Sequence, residues 1–310
     1  MSELRFDGRT AIVTGAGGNP SLGRAHALLL ASRGANVVVN DIGSDPEMKN
    51  YPGAASAEAV AEEIRAAGGK AVADTHSVAT PEGGEAIVRT ALDAFGRVDI
   101  LVNNAAISIG APIDVMTPHD FQRHIDVNLM GAVWTCRAAW PHMQAQGYGR
   151  IVNTTSSSMT GFANQAAYAT SKGGLWSLTR ALAAEGAGHG IKVNAVSPGA
   201  FTRLVSSMLE DDSPLLQHSR ANLPPELSSP AVVFLCHDSC PVTGECIDSV
   251  GGEVQRTFIR RTPGFTDRAV TIEMVAQRWD EVMAEADAAT IGTGDFDTSQ
   301  WKIRPYAGAS

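Results

Sequence analysis

Thr10-Ala11-Ile12-Val13-Thr14-Gly15-Ala16-Gly17-Gly18-Asn19-Pro20-Ser21-Leu22-Gly23 is the stretch on which the reading of the fold turns. Residues 10–14 form a short β-branched, apolar run, and residues 22–33 carry a helical pattern. Between them lies a turn dense in glycine. Glycines let the backbone bend sharply and approach a pyrophosphate, which amide groups at a helix N-terminus can hold. A glycine run in isolation is also an ordinary turn. Its place at the first strand-to-helix junction is what gives it meaning.

The rhythm repeats outward from that junction. Short apolar runs at residues 36–40, 70–75, 100–103, 150–154, 191–196 and 244–248 read as further strands. Helical spacing fills the gaps at 56–67, 83–95, 118–146, 166–188 and 230–237. Strands that are apolar throughout, alternating with helices, predict a parallel sheet covered on both faces. The expected fold is α/β, a doubly wound Rossmann-like sheet of about seven strands over residues 1–254. After Val254 the rhythm stops. Residues 255–310 read as a C-terminal extension with a basic, proline-containing start and one amphipathic helix through Ile272, Val275, Ala276, Trp279, Val282 and Met283. A loop over residues 290–297 follows, and the tail is expected to pack on the domain or on a partner subunit.

A chain of 310 residues has room for one large α/β domain. Its 44% hydrophobic and 18% charged residues are those of a folded globular protein. A net charge of −9 argues against nucleic acid or an anionic membrane as the main partner. Residues 1–10 lack the apolar core of a signal peptide, and runs such as 27–31 and 37–39 are far too short for membrane insertion. Four cysteines fit a reducing compartment, so a cytoplasmic location is expected. Cys236, Cys240 and Cys246, near His237, match no zinc spacing, and no metal is expected.

Two further features carry chemistry. The second strand ends at Asn40-Asp41, where a carboxylate can accept hydrogen bonds from both hydroxyls of an adenosine ribose and repel a 2′-phosphate. No arginine follows Asp41 directly, which favours NAD over NADP. Tyr168-Ala169-Thr170-Ser171-Lys172 sets a phenol and an ammonium four residues apart on one helix face. A neighbouring ammonium favours the phenolate. Bringing a phenol from about 10 to near 7 takes roughly 3 units, or about 4 kcal/mol, which a lysine and a cationic cofactor together would supply. Ser156-Ser157-Ser158 lies just upstream. Such pairs and serine runs are ordinarily surface pairs and loops, so their order along the chain decides.

That order resembles the short-chain dehydrogenase/reductase family. Asn103-Asn104-Ala105-Ala106 is similar to its Asn-Asn-Ala-Gly strand end, Asn128 to its catalytic asparagine, Tyr168 and Lys172 to its Tyr-x-x-x-Lys, and Pro198-Gly199 to the turn against the nicotinamide. These motifs run in order over residues 6–254. Residues 37–43, 91–97, 137–143 and 234–240, with a tail helix like 277–280, are similar to the (3R)-hydroxyacyl-CoA dehydrogenase units of peroxisomal multifunctional enzymes of type 2 and their bacterial relatives. The resemblance implies catalytic Asn128, Ser156, Tyr168 and Lys172. It implies a cofactor site of Gly15, Gly17, Ser21, Leu22, Gly23, Asp41, Asn104, Ala105, Tyr168, Lys172, Pro198 and Gly199.

Three departures stand out. The glycine turn is longer than usual, with Ser21 in the place of the middle glycine, and His76 stands where an aspartate often meets the adenine. Counted from the strand, Ser156 takes the catalytic place; counted back from Tyr168 at the family's usual spacing, Thr155 does. Ser156 is preferred because the strand end sets where the hydroxyl points, with Thr155 and Ser157 as alternatives. The implied reaction is NAD-dependent interconversion of a secondary alcohol and a ketone. The expected substrate is a 3-hydroxyacyl-CoA, its phosphates met by Arg203, Arg220, Arg256, Arg260 and Arg261. Lys172 would bond the nicotinamide ribose and Asn128 would hold a water leading to solvent. The family implies a homodimer or homotetramer. Rival readings are a dehydrogenase of a steroid or other free alcohol, and an NAD-binding regulator without turnover.

Overall fold

The computed structural model describes residues 3–43, 56–208, 210 and 212–294. The chain divides into two compact units, Met1–Arg256 and Thr257–Ser310.

In the first unit, β1 (Thr10–Thr14), β2 (Asn36–Asn40), β3 (Lys70–Asp74), β4 (Ile100–Asn103), β5 (Gly149–Thr154), β6 (Ile191–Gly199), β7 (Cys246–Val250) and β8 (Glu253–Thr257) form one sheet. Its order is β3-β2-β1-β4-β5-β6-β7-β8. Pairing is parallel from β3 through β7, with Thr10 opposite Asn36 and Ala11 opposite Ile100. The order reverses between β1 and β4, which opens a crevice at the carboxyl ends of these strands.

Successive strand residues point to opposite faces, and both faces are buried. Ala11, Val13, Val37, Val39, Ile100 and Val102 belong to one core with Leu30 of α1 (Leu22–Ser32), Val60 and Ile64 of α2 (Ala57–Ala66). Ile12, Val38, Leu101, Ile151 and Val193 belong to the other with Ile87 and Val88 of α3 (Pro81–Phe95). This explains why the strands read as unbroken apolar runs. The doubly wound α/β reading is correct.

The helices differ in detail. The single helix expected over 118–146 is α4 (Pro118–His124), a π turn (Ile125–Met130) and α5 (Gly131–Gln146). A π turn widens the helix by one residue, a feature frequent at functional sites and invisible to an apolar pattern. The expected helix at 166–188 is α6 (Ala166–Gly186). After β6 come two short helices not foreseen, α7 (Arg203–Met208) and α8 (Pro214–Asn222), and then α9 (Ser229–Leu235).

At the far edge, β7 starts two residues later than expected, and an eighth strand adds to it. Gly251 and Gly252, at φ 57° and 91°, make the two-residue turn between them. Left-handed backbone at both turn positions suits such a hairpin.

In the second unit the expected amphipathic helix is two pieces, α10 (Ile272–Gln277) and α11 (Trp279–Met283), with no buried side chain in either. Apolar spacing there marks a face without a core beneath it among the described residues. Arg260–Arg261 (β9) pairs antiparallel with Ala289–Thr290 (β10), so residue 290 lies in a strand where a loop was expected. The rest of that expected loop from 295, with the tail to 310, lies outside the described residues. Among the described residues, no helix is long and apolar enough to cross a membrane.

Candidate active site

A cleft of about 560 Å³ opens along the carboxyl ends of the strands on either side of the reversal. Gly15, Ser21, Leu22, Asp41, Asn104, Ala105, Ser156, Tyr168, Lys172, Pro198 and Gly199 all line it. Gly17, Gly23 and Asn128 stand behind that lining. Gly15 has φ 64°, and a Cβ there would sit 2.7 Å from Ala105 Cα. A Cβ on Gly23 would lie 2.5 Å from the Gly15 carbonyl oxygen. Only bare backbone allows the first turn of α1 to press this closely on the loop.

Side chains lock the turn in place. Asn104 Nδ2 donates to the carbonyls of Thr14 and Gly15 at 2.9 and 3.0 Å. Thr14 Oγ1 accepts the amides of Asn104 and Ala105, both at 3.0 Å. Ser21 caps α1, its Oγ accepting the Arg24 amide at 3.1 Å. The serine in place of a glycine thus satisfies one of the orphan amides at the helix start.

Asp41 accepts the Gly17 amide at Oδ2 and the Gly43 amide at Oδ1, each at 2.9 Å, and still lines the cleft. His76 does not line it; Ser77 and Val78 do. The group that organises this corner is Asp74, which sequence reading passed over. Buried at the end of β3, it accepts from Asn40 Nδ2 at 2.7 Å, the His76 amide at 3.0 Å and Thr90 Oγ1 at 2.7 Å. An acidic residue closing a buried strand was the available signal.

Asn128 sits in the π turn and is buried. It exchanges two hydrogen bonds with the Ile107 backbone, at 2.8 and 3.0 Å, and donates to Ser171 Oγ at 3.1 Å. His124, one turn earlier, was also missed. Its Nε2 accepts the Ile109 amide at 2.9 Å and its Nδ1 donates to the Asp120 carbonyl at 2.7 Å. Burial holds its pKa below the usual value, so the ring stays neutral, as an accepting Nε2 requires. Asn128 and His124 together fasten the strand-end loop that follows Ala105.

Lys172 is 1% exposed, and its Nζ donates to the Thr154 carbonyl at 2.7 Å. Burial lowers its pKa to about 7. Tyr168 moves the other way: burial raises the phenol to about 12, while a hydrogen bond with Ser156 opposes the rise. Lys172 Nζ lies 5.6 Å from the centre of the Tyr168 ring. The sequence argument asked for the lysine and a cationic cofactor together, and in the chain alone burial works against both charged forms. Both side chains leave water, desolvation disfavours both charged forms, and the chain alone holds a phenol beside a lysine that titrates near neutrality.

The three hydroxyl candidates separate. Thr155 Oγ1 donates to the Lys172 carbonyl at 2.8 Å, tying β5 to α6. Ser157 is exposed at the start of a short 3-10 turn, Ser157–Thr160. Ser156 caps that turn, accepting the Ser158 amide at 3.2 Å, and reaches Tyr168.

Of the expected rim cations, Arg203 lines the cleft. Arg220 stacks over Phe201 at 5.3 Å, and Arg256 forms a bidentate pair with Glu245 at 2.7 and 2.8 Å. Arg260 and Arg261 belong to the second unit. Cys136, Cys236, Cys240 and Cys246 are free and buried. Among the described residues no three His, Cys, Asp or Glu side chains gather to hold a metal.

A doubly wound sheet with a glycine turn at its reversal point defines a nucleotide-binding α/β protein. The chain belongs to the short chain dehydrogenase family, whose pattern matches residues 9–213. It is 40% identical over 294 residues to peroxisomal multifunctional enzyme type 2 of Mus musculus, covering 93% of this chain and 38% of that enzyme. The chain thus spans well under half of that relative's length. It is 36% identical over 252 residues to the 3-oxoacyl-[acyl-carrier-protein] reductase of Synechocystis, covering 79% of this chain and 97% of the reductase. The crystal structure of a short chain dehydrogenase from Mycobacterium avium superposes with a TM-score of 0.76 at 36% identity, over 89% of this chain and 96% of that one.

Proposed function

We propose that this oxidoreductase interconverts a 3-hydroxyacyl and a 3-oxoacyl thioester of coenzyme A, with NAD as cofactor. The observation that carries the reading is the meeting of Ser156, Tyr168 and Lys172 in the cleft that the glycine turn opens. The residues fit a dinucleotide, because side chains at Gly15, Gly17 and Gly23 would collide with Ala105, Asp41 and the Gly15 carbonyl, so only bare backbone forms the tight turn that leads into the helix N-terminus beside the cleft. Gly15, Gly17, Ser21, Leu22 and Gly23 would hold its pyrophosphate side and Asn104 and Ala105 its adenine side. Asp41 would take the ribose hydroxyls, a choice that disfavours a 2′-phosphate. Pro198 and Gly199 would flank the nicotinamide. Bound in its oxidised form, the cofactor supplies a hydride acceptor and a positive charge that favours the phenolate.

The chain's own residues do the rest. Tyr168 Oη takes the carbinol proton, and Ser156 Oγ holds the substrate oxygen. Lys172 Nζ, whose pKa burial lowers to about 7, would bond the nicotinamide ribose and, when charged, favour the Tyr168 phenolate. Asn128 serves as a positioning residue through Ile107 and Ser171. The thioester class draws support from the Synechocystis relative, a 3-oxoacyl-[acyl-carrier-protein] reductase, and from the segments similar to hydroxyacyl-CoA dehydrogenase units. A second reading, oxidation of a free alcohol, is favoured by Arg220 and Arg256, which stack on Phe201 and pair with Glu245 respectively and do not line the cleft as Arg203 does. Residues 1–254 are proposed as the catalytic domain and 255–310 as its extension, in a cytoplasmic homodimer or homotetramer.

The test is a panel of 3-hydroxyacyl-CoA thioesters and matching free alcohols with NAD and with NADP, followed by NADH or NADPH absorbance. Turnover of thioesters with NAD is expected, and Tyr168→Phe is expected to abolish it while NADH still binds. Substantial activity in Tyr168→Phe would overturn the assignment of the base.

A further inference from the structure

Ser158 is 2% exposed, lines the cleft, and its Oγ finds no hydrogen-bond partner among the described residues. Buried hydroxyls are nearly always paired, and one left alone beside a ligand cleft calls for an explanation. The local backbone gives no relief. The Ser158 carbonyl accepts the Gly161 amide at 2.9 Å and its own amide donates to Ser156 Oγ at 3.2 Å, so the side chain is what remains unserved. That same amide bond ties the Ser156 side chain to the Ser158 backbone within one short turn. Ser156 reaches Tyr168; the second hydroxyl of the pair has no partner among the described residues.

A 3-hydroxyacyl thioester carries two oxygens on carbons separated by one methylene: the carbinol oxygen on C3 and the carbonyl oxygen on C1. Two hydroxyls on one short turn offer one donor to each of two oxygens in that relation. Resting on the thioester reading above, we propose that Ser158 Oγ donates a hydrogen bond to the C1 carbonyl of the substrate while Ser156 engages the oxygen on C3. Ser158 then selects for an acceptor two carbons from the reacting centre and orients the chain so that C3 faces the cofactor side of the cleft. It is a specificity residue for β-oxygenated acyl thioesters and takes no proton in the reaction.

The experiment pairs a 3-hydroxyacyl-CoA with its 3-hydroxyalkyl-CoA thioether, in which a methylene replaces the C1 carbonyl and nothing else changes. In the wild type kcat/KM is expected to favour the thioester. In Ser158→Ala the ratio of the two kcat/KM values is expected to fall about tenfold, the worth of one hydrogen bond of about 1.4 kcal/mol. Ser158→Cys keeps the volume with a much weaker donor and is expected to lower the ratio similarly, which guards against a folding defect in the alanine variant. A parallel fall of both substrates in both variants, with the ratio unchanged, would mean a structural role and overturn the proposal. So would a wild type that turns over both compounds equally well. A wild type that oxidises neither CoA compound but oxidises free secondary alcohols would overturn the thioester reading together with this one.

Discussion

Lys172 offers a way to weigh the cofactor-free site. Its native pKa of about 7, against 10.5 for a lysine in water, means that the fold prefers it neutral. A base with a depressed native pKa is a liability wherever the unfolded chain holds the extra proton. That liability is absent above pH 10.5, grows as pH falls toward 7 and is full below it. At 1.36 kcal/mol per unit, its full size is about 5 kcal/mol, of which about 4 is present at pH 7 and about 2 at pH 9. Raising the pH from 7 to 9 should therefore stabilise the wild type, through this group, by about 2 kcal/mol. Lys172→Met removes the titration. It also removes the bond to the Thr154 carbonyl, but that loss, if independent of pH, cancels between the two pH values. The measurement is urea unfolding of cofactor-free wild type and variant at both pH values. The wild type should gain about 2 kcal/mol more than the variant on going from pH 7 to 9. Equal pH dependence in the two proteins would refute the idea that this ammonium is desolvated.

Other outcomes follow from the same geometry. Gly23→Ala puts a methyl 2.5 Å from the Gly15 carbonyl, so the glycine turn must move and dinucleotide affinity, read by NADH fluorescence, should fall more than tenfold. Asn128→Ala strips the Ile107 amide of its acceptor and deletes two further hydrogen bonds, and should lower unfolding free energy by about 3 kcal/mol. Wild-type stability in that variant would mean that the loop after β4 is held by His124 without help.

Much of the site was legible because its parts have local signatures. Thr10–Thr14 and the glycines after it announce a strand and a tight turn, and Tyr168 and Lys172 share a helix face by spacing alone. Ser156 was preferred over Thr155 from the strand end, and the structure shows the Thr155 hydroxyl donated to the Lys172 backbone. Asp74 and His124 were not legible. Their partners, among them Asn40 for Asp74 and the Ile109 amide for His124, lie 34 and 15 residues away. The split of residues 118–146 by a π turn was hidden for a related reason: the turn changes hydrogen-bond register without changing which residues are apolar.

The amino-acid sequence by itself determined the α/β alternation, the buried parallel strands, the family, and many of the residues that line the cleft. Periodicity, glycine placement and side-chain type act locally and survive being read in one dimension. Only the tertiary structure shows how far the side chains of the cofactor-free cleft are taken out of water. A tyrosine and a lysine four apart suggest an ion-assisted phenolate, yet burial raises one pKa to about 12 and lowers the other to about 7. Desolvation depends on what the whole chain packs around a group, and no spacing encodes it.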